Sequence, residues 1–268
     1  MNLEVLAVLV MYLQTVLNNK TNIYDVIMAN KVLDFFQPVI SQWAGSYLND
    51  FFVAGSSAKG VSIKGKSDID LFISVKSFCP DSLDSIYFSL YKKLTILGRQ
   101  QGFSVNQQNV SLGIKGLTYG YKQVDIDIVP ARQQAPNSNI HSLYKSKQNT
   151  WTQTNVKGQI DLIRNSGRQD FIRLIKIWRE CHQLNFPSMN IELSVLKALH
   201  GCSLSLELDV GFRLIMNYLS NTFFTDNLVD PFNSANIVSN DMTNSEKQKV
   251  VIQAKEFFTA SDWRQIIW

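Results

Sequence analysis

Two aspartates separated by one residue, Asp68-Ile69-Asp70, follow a Gly55-Ser56-Ser57 triplet in this chain. On an extended strand, side chains at i and i+2 point to the same face, so Asp68 and Asp70 form a carboxylate pair. Paired carboxylates repel, and a hard divalent cation such as Mg²⁺ or Mn²⁺ is their natural compensation. Gly55 lets the backbone approach a ligand closely, and the Ser56 hydroxyl with nearby amides can bind phosphate oxygens. A second doublet, Asp125-Ile126-Asp127, offers two candidates for a third carboxylate on a neighbouring strand. With three carboxylates a site can hold two metal ions, which together stabilise the attacking and leaving oxygens of an in-line phosphoryl displacement. A lone D-x-D or a lone G-S-S is commonplace. Their order along the chain, with a strand before each, is what carries the reading.

The elements that must position these residues are legible in part. Residues 3–18 and 23–48 are predicted helical, with Ile27, Leu33, Phe36, Ile40 and Trp43 near one face, and Pro38 is expected to kink or interrupt the second helix. Phe51-Phe52-Val53-Ala54 is a short buried strand running into the Gly-Ser-Ser triplet, and 68–75 (DIDLFISV) is a second strand. Pro80 opens a helix in which Leu83, Ile86, Leu90 and Leu94 recur at helical spacing, with Gly102 after its end. Residues 104–118 hold one or two strands, Tyr119-Gly120 reads as a turn, and 122–129 (KQVDIDIV) alternate as a half-buried strand does. Residues 132–150, rich in Gln, Asn, Ser and Lys, read as loop. From residue 157 the pattern turns helical. Phe171, Leu174, Ile175 and Trp178 make an apolar stripe, and further helices are expected at 190–205, 209–222 and 244–258, the last opening with a Thr243/Glu246 capping box. The fold class is therefore α/β (α+β). Residues 1–135 are expected to carry the sheet and the N-terminal helices, and 136–268 a helical lobe.

Composition sets outer bounds. The chain has 268 residues, 45% apolar and 18% charged, enough for a sizeable core and inconsistent with wholesale disorder. Lys and Arg exceed Asp and Glu by 26 to 22, a net +4, which suits a polyanionic ligand without demanding nucleic acid. Cys79, Cys181 and Cys202 are odd in number and lack C-x-x-C spacing, which argues against a disulfide framework and a structural zinc site and for a reducing cytoplasm. His141, His182 and His200 are too scattered for a metal site. Leu3 to Leu17 is strongly apolar, but Glu4 stands where a signal peptide wants positive charge. No run reaches the roughly 18–20 residues of a membrane span, so no membrane partner is expected and this helix should pack on the core.

Residues 53–72, VAGSSAKGVSIKGKSDIDLF, resemble the signature of the DNA polymerase β-type nucleotidyltransferases: a hydrophobic residue, Gly-Ser, then Asp-hydrophobic-Asp. Lys59-Gly60 and Ser67-Asp68 sharpen the resemblance toward the branch of oligoadenylate synthases, bacterial cyclic-oligonucleotide synthases and archaeal-type CCA-adding enzymes. Asp127-Ile128-Val129-Pro130-Ala131 resembles that branch's third-carboxylate motif, which selects Asp127 over Asp125. Arg173 to Arg179 (RLIKIWR) resembles the helix whose lysine reaches the triphosphate, here Lys176. The segment from Ser188 to Leu193 resembles its Ser…Glu-Leu motif, and Asp230-Pro231-Phe232-Asn233 the motif near the nucleobase. Trp151-Thr152 and Asn155 match a Trp…Thr…Pro segment except that Val156 replaces the proline, and Val61-Ser62 stands where relatives often have Thr-Ala.

The resemblance implies a two-lobed enzyme whose helical lobe closes the nucleotide site. Two Mg²⁺ (or Mn²⁺) ions would be held by Asp68, Asp70 and Asp127, and Gly55, Ser56, Ser57, Lys59, Ser67, Lys176, Ser188 and Asp230 would bind the nucleotide. It implies transfer of a nucleoside monophosphate from a nucleoside triphosphate, ATP first among them, to a hydroxyl with release of pyrophosphate. An acceptor nucleotide would make the product an oligonucleotide or cyclic messenger of bacterial antiphage defence. An RNA or tRNA 3′ end would make the chain a CCA-like transferase, an alternative weakened because Trp268 follows soon after the last helix with no tRNA-gripping tail. A small-molecule acceptor, or a catalytically silent nucleotide-binding regulator, are further alternatives.

Overall fold

The computed structural model of the chain describes residues 3–21, 24–65, 68–119 and 122–268. They divide into two compact units, 23–60 with 66–161, and 1–22 with 61–65 and 162–268.

The first unit is built on a sheet of seven strands among the described residues. These are β1 (Leu48–Val53), β2 (Ile69–Val75), β3 (Ser104–Gln107), β4 (Leu112–Tyr119), β5 (Lys122–Gln133), β6 (His141–Lys145) and β7 (Thr150–Thr154). The order is β1-β2-β5-β4-β3, with β6 paired to the far end of β5 and β7 to β6. Only β2 and β5 run parallel; the other pairs are antiparallel. Alternation decides what each face carries. Ile69, Leu71, Ile73 and Val75 of β2, with Val124, Ile126 and Ile128 of β5, are buried against Ala29, Val32, Phe36 and Ile40 of α2 (Tyr24–Ala44) and Ile86, Leu90 and Leu94 of α4 (Leu83–Gln101). The same alternation sends Asp70, Asp125 and Asp127 to the opposite face.

Three expectations need correction in this unit. α2 runs through Pro38 without interruption and stops at Ala44, where Gly45 (φ +53°) opens a short 3₁₀ turn into β1. The proline costs a helix about 3 kcal/mol, but Phe36 and Ile40 on either side are fully buried, and each such side chain returns roughly 1.5–3 kcal/mol. Residues 132–150 are loop only in part, at 134–140 and 146–149. β5 continues to Gln133 and β6 begins at His141, its polar composition made compatible with burial by hydrogen bonding. The helix expected from Pro80 begins instead at Leu83, capped by the Ser82 hydroxyl, and ends at Gly102 in the left-handed region.

His141 shows how that burial is managed. Its Nδ1 lies 3.0 Å from the Asn139 carbonyl, which can only accept, so Nδ1 carries the proton and Nε2 accepts from the Ser74 hydroxyl at 2.7 Å. The Asn49 amide donates to Ser74 Oγ at 3.0 Å. Burial holds the imidazole below its ordinary pKa and Lys157 adds to this, against the Asn139 bond and Asp50, which act the other way. The unfolded chain therefore takes up this proton first. The stability His141 contributes is whole above about pH 6.5 and is lost as pH falls toward the folded value, at about 1.4 kcal/mol per pH unit. Melting temperatures measured from pH 7.5 to 5 are expected to fall less steeply in His141→Gln than in the wild type. Parallel curves would contradict the assignment.

The second unit is helical. α1 (Leu3–Lys20), α6 (Gln169–Cys181), α7 (Ser188–Ala198), α8 (Leu208–Asn221) and α9 (Asn244–Glu256) enclose a core that includes Leu13, Leu17, Phe171, Leu174, Ile175, Trp178, Val195, Phe212, Ile215 and Val250. The expected apolar stripe is thus fully used, and the Thr243/Glu246 capping box is present. A hairpin, β8 (Val229–Asp230) with β9 (Asn233–Ile237), was not anticipated. The division between units falls inside α5 (Val156–Arg164), and α1 groups with the C-terminal helices rather than with the sheet. The boundary expected at 135/136 therefore differs from the observed one, because β6 and β7 extend the sheet and α1 buries Leu13, Val16 and Leu17 in the helical core. Among the described residues no helix is long and apolar enough to cross a membrane, and all three cysteines are free.

Candidate active site

The parallel β2–β5 ladder places Asp70 and Asp127 opposite one another, with Ile69 paired to Ile126 and Leu71 to Ile128 around them. Neighbouring strands lie about 4.8 Å apart, so the two carboxylates stand side by side on the face away from the helices. Asp68 precedes β2 directly and is exposed, and Asp125, two residues before Asp127, is exposed as well. Register thus sets Asp127, not Asp125, beside Asp70. Asp125 is paired instead with Lys115 of β4 at 2.5 Å.

The Gly-Ser-Ser triplet arrives beside Asp70 through the antiparallel β1–β2 pair. The Ala54 N–H donates to the Asp70 carbonyl at 2.8 Å, and the chain then turns at Gly55, φ +57°, into α3 (Gly55–Lys59). A Cβ at position 55 would overlap the Asp70 carboxylate, its Oδ2 and Cγ above all. Gly55 is therefore required twice, for its backbone angle and for the space the carboxylate fills. Gly55, Ser56 and Ser57 form the first turn of α3, where backbone N–H groups lack helical acceptors. Ser56 is half-buried, Ser57 buried, and Lys59 lies partly exposed in the last turn.

Asp127 has a perturbed carboxyl. Burial pushes its pKa up and the Asp68 charge adds to this, against a hydrogen bond from Gln108 and the charge of Lys115. The Lys115 ammonium is in turn held above its ordinary value, by its bond to Asp125 first and by the charges of Asp68 and Asp127. This face therefore carries an excess of negative charge. Among the described residues no three His, Cys, Asp or Glu side chains are already drawn together as a metal cage. The donors nevertheless suit a divalent ion. They are hard carboxylate oxygens on adjacent strand positions whose mutual repulsion a cation would relieve.

The other expected site residues have different placements. Ser67 lies outside the described residues. Lys176, Ser188 and Asp230 belong to the helical unit. Lys176 is not a solvated helix residue, being only 2% exposed with Nζ 3.2 Å from the Val61 carbonyl. Ser188 is exposed in the first turn of α7. Asp230 is buried in the β8–β9 hairpin, where its Oδ1 accepts the Phe232 N–H at 2.9 Å, a local turn-forming bond. Sequence reasoning missed Gln108, Gly113 and Lys115. The last two share the alternation of β4, but only the β4–β5 register, Gly113 opposite Asp127, reveals which face they join.

Comparison with solved structures identifies the fold. The chain resembles CdnC from E. coli MS115-1, in a structure with ATP, at a TM-score of 0.74 and 19% identity over 95% of this chain and 96% of that one. It resembles the Cid1 poly(U) polymerase at a TM-score of 0.70 and 13% identity, covering 96% and 97%. It resembles the Elizabethkingia meningoseptica CdnE cyclic dinucleotide synthase, in a structure with GTP and Apcpp, at a TM-score of 0.58 and 11% identity, covering 86% and 90%. The fold is that of the DNA polymerase β-type nucleotidyltransferases. No protein-family model matches the chain, and no curated protein matches it significantly.

Proposed function

We propose that this chain is a divalent-metal-dependent nucleotidyltransferase that moves a nucleoside monophosphate from a nucleoside triphosphate, ATP first among them, to a hydroxyl and releases pyrophosphate. The observation that carries this reading is the Asp70–Asp127 register, with Asp68 two residues before Asp70 and Gly55 shaped around the Asp70 carboxylate. Mg²⁺ or Mn²⁺ held by Asp68, Asp70 and Asp127 would neutralise triphosphate charge and make the attacking hydroxyl more acidic. Ser56, Ser57 and the amides opening α3 bind phosphate oxygens, with Lys59 adding positive charge nearby. In this reading Asp127, half-buried beside Asp70, orients the acceptor hydroxyl and takes its proton. Most of the rate gain comes from positioning and charge compensation. The nucleotide-binding roles of Ser67, Lys176, Ser188 and Asp230 rest on the sequence resemblance alone.

For the acceptor we propose a second nucleotide, giving an oligonucleotide or cyclic messenger of the kind used in bacterial antiphage signalling in the cytoplasm. The likeness to CdnC and CdnE supports this reading. The likeness to Cid1 poly(U) polymerase, at nearly the same TM-score as CdnC, supports a second one, transfer to an RNA 3′ end. Incubating the purified chain with labelled nucleoside triphosphates and Mg²⁺ or Mn²⁺, with and without RNA, separates them. Labelled small products without RNA are the expected outcome, and label appearing only on RNA selects the second reading. Bound nucleotide with no turnover under any condition would make the chain a silent nucleotide-binding protein.

A further inference from the structure

Gln108 lies in the short connection between β3 and β4, where a glutamine ordinarily samples solvent. Here it is tied down at every polar atom. Its N–H donates to the Ser111 carbonyl at 3.0 Å, and its carbonyl accepts from the Tyr87 and Ser146 hydroxyls, both at 2.7 Å. Its side-chain Oε1 accepts from the Ser111 hydroxyl at 2.8 Å, and Nε2 donates to Asp127 Oδ1 at 2.9 Å. The amide orientation does not depend on the Ser111 contact, because an ionised carboxylate only accepts. Tyr87 is buried under the sheet on α4, and its single hydroxyl proton is shared between the Gln108 carbonyl and the Ser111 carbonyl, 3.1 Å away, so the turn is fixed from below.

The strand beside it leaves room for the contact. Gly113 sits opposite Asp127 in the β4–β5 ladder. A Cβ there would come within 2.5 Å of Gln108 Nε2 and 3.4 Å of Asp127 Oδ1. Glycine is thus what lets the amide cross β4 to reach the carboxylate. The choice of an amide has a further consequence. A lysine or arginine at this point would neutralise Asp127, whereas a neutral donor fixes one oxygen and leaves the negative charge in place.

We propose that Gln108 is a positioning residue for Asp127, holding its carboxylate in the rotamer from which it and Asp70 address the same cations, with Ser111, Tyr87, Ser146 and Gly113 holding Gln108 in turn. The proposal rests on the divalent-metal reading of the site. Residues that orient metal ligands typically change metal affinity about 10–100-fold when lost.

The test is Mn²⁺ binding, read by electron paramagnetic resonance with a non-hydrolysable nucleoside triphosphate, on wild type, Asp127→Asn, Gln108→Leu and Gly113→Ala. Thermal melts run alongside. Gln108→Leu is expected to keep its melting temperature within about 2 °C, because the backbone anchors of the turn remain, and to weaken Mn²⁺ binding by about 10-fold or more. Its turnover should recover in part at saturating metal, which damage to the fold would not allow. Gly113→Ala crowds the amide and should shift metal affinity in the same direction, and it decides the matter if Gln108→Leu melts early. Wild-type Mn²⁺ affinity in folded Gln108→Leu, with Asp127→Asn weakened, overturns this proposal while leaving the metal site standing. No Mn²⁺ binding by the wild type overturns both.

Discussion

Replacing Asp70 by asparagine is expected to lower nucleotidyl transfer by about 10³-fold or more, roughly 4 kcal/mol of transition-state stabilisation. The substitution keeps the shape that fits against Gly55 and removes only the charge. Backbone contacts hold position 70 in the sheet. Its carbonyl accepts from Ala54, and its residue sits in register with Asp127 in the parallel ladder. The variant should therefore fold, with a melting temperature unchanged or slightly raised as repulsion on this face is relieved. Asp125 provides the contrast. It is exposed and paired with exposed Lys115, and such surface pairs are worth about 0–1 kcal/mol, so Asp125→Asn should cost no more than about fivefold. Turnover of labelled nucleoside triphosphate and thermal melts on both variants check this. A folded Asp70→Asn within tenfold of wild type would remove the basis for the enzyme reading.

The two outcomes differ because of a register that the sequence half reveals. Ile69 and Ile126 each lie between two aspartates, so alternation alone says that both doublets share the face opposite the isoleucines. It does not say which aspartate meets which. That depends on how β5 slides along β2, a tertiary choice fixed by Ile69, Leu71 and Ile73 burying together with Ile126 and Ile128 against α2 and α4. What was hidden follows the same rule. β6 opens with a buried histidine, whose partner Ser74 lies more than sixty residues away in the sequence. Gln108 lies in a turn with no periodicity to mark it, and its role depends on a glycine across the strand and a tyrosine on α4. Lys176, which the resemblance marks as the lysine reaching a triphosphate, lies buried on α6 with a backbone carbonyl 3.2 Å from its Nζ, a contact its sequence neighbours do not reveal. Local pattern names the elements and the chemistry-bearing doublets. The partners come from long-range packing, which no local window contains.

Gly55→Ala is expected to cut activity about 100-fold or more through one methyl group. The position has φ +57°, where a β-carbon costs roughly 1–2 kcal/mol, a modest loss for a folded domain. The larger effect is steric. The new methyl would occupy the place of the Asp70 carboxylate, which must rotate away or push α3 off the strand. Either response moves a proposed metal ligand by more than an ångström, and displacements of that size cost a catalytic constellation about 10²-fold. Gly45→Ala separates the two contributions. It has φ +53° and nothing within 4 Å of a built Cβ, so it carries the same backbone strain with no carboxylate to displace. Gly45→Ala should lose a few degrees of melting temperature and Gly55→Ala at least as many, while only Gly55→Ala loses turnover and Mn²⁺ binding, by about 100-fold or more. Equal activities in the two would mean that the space against Asp70 is a packing accident. A loss confined to Gly55→Ala ties the signature glycine to the carboxylate it shelters.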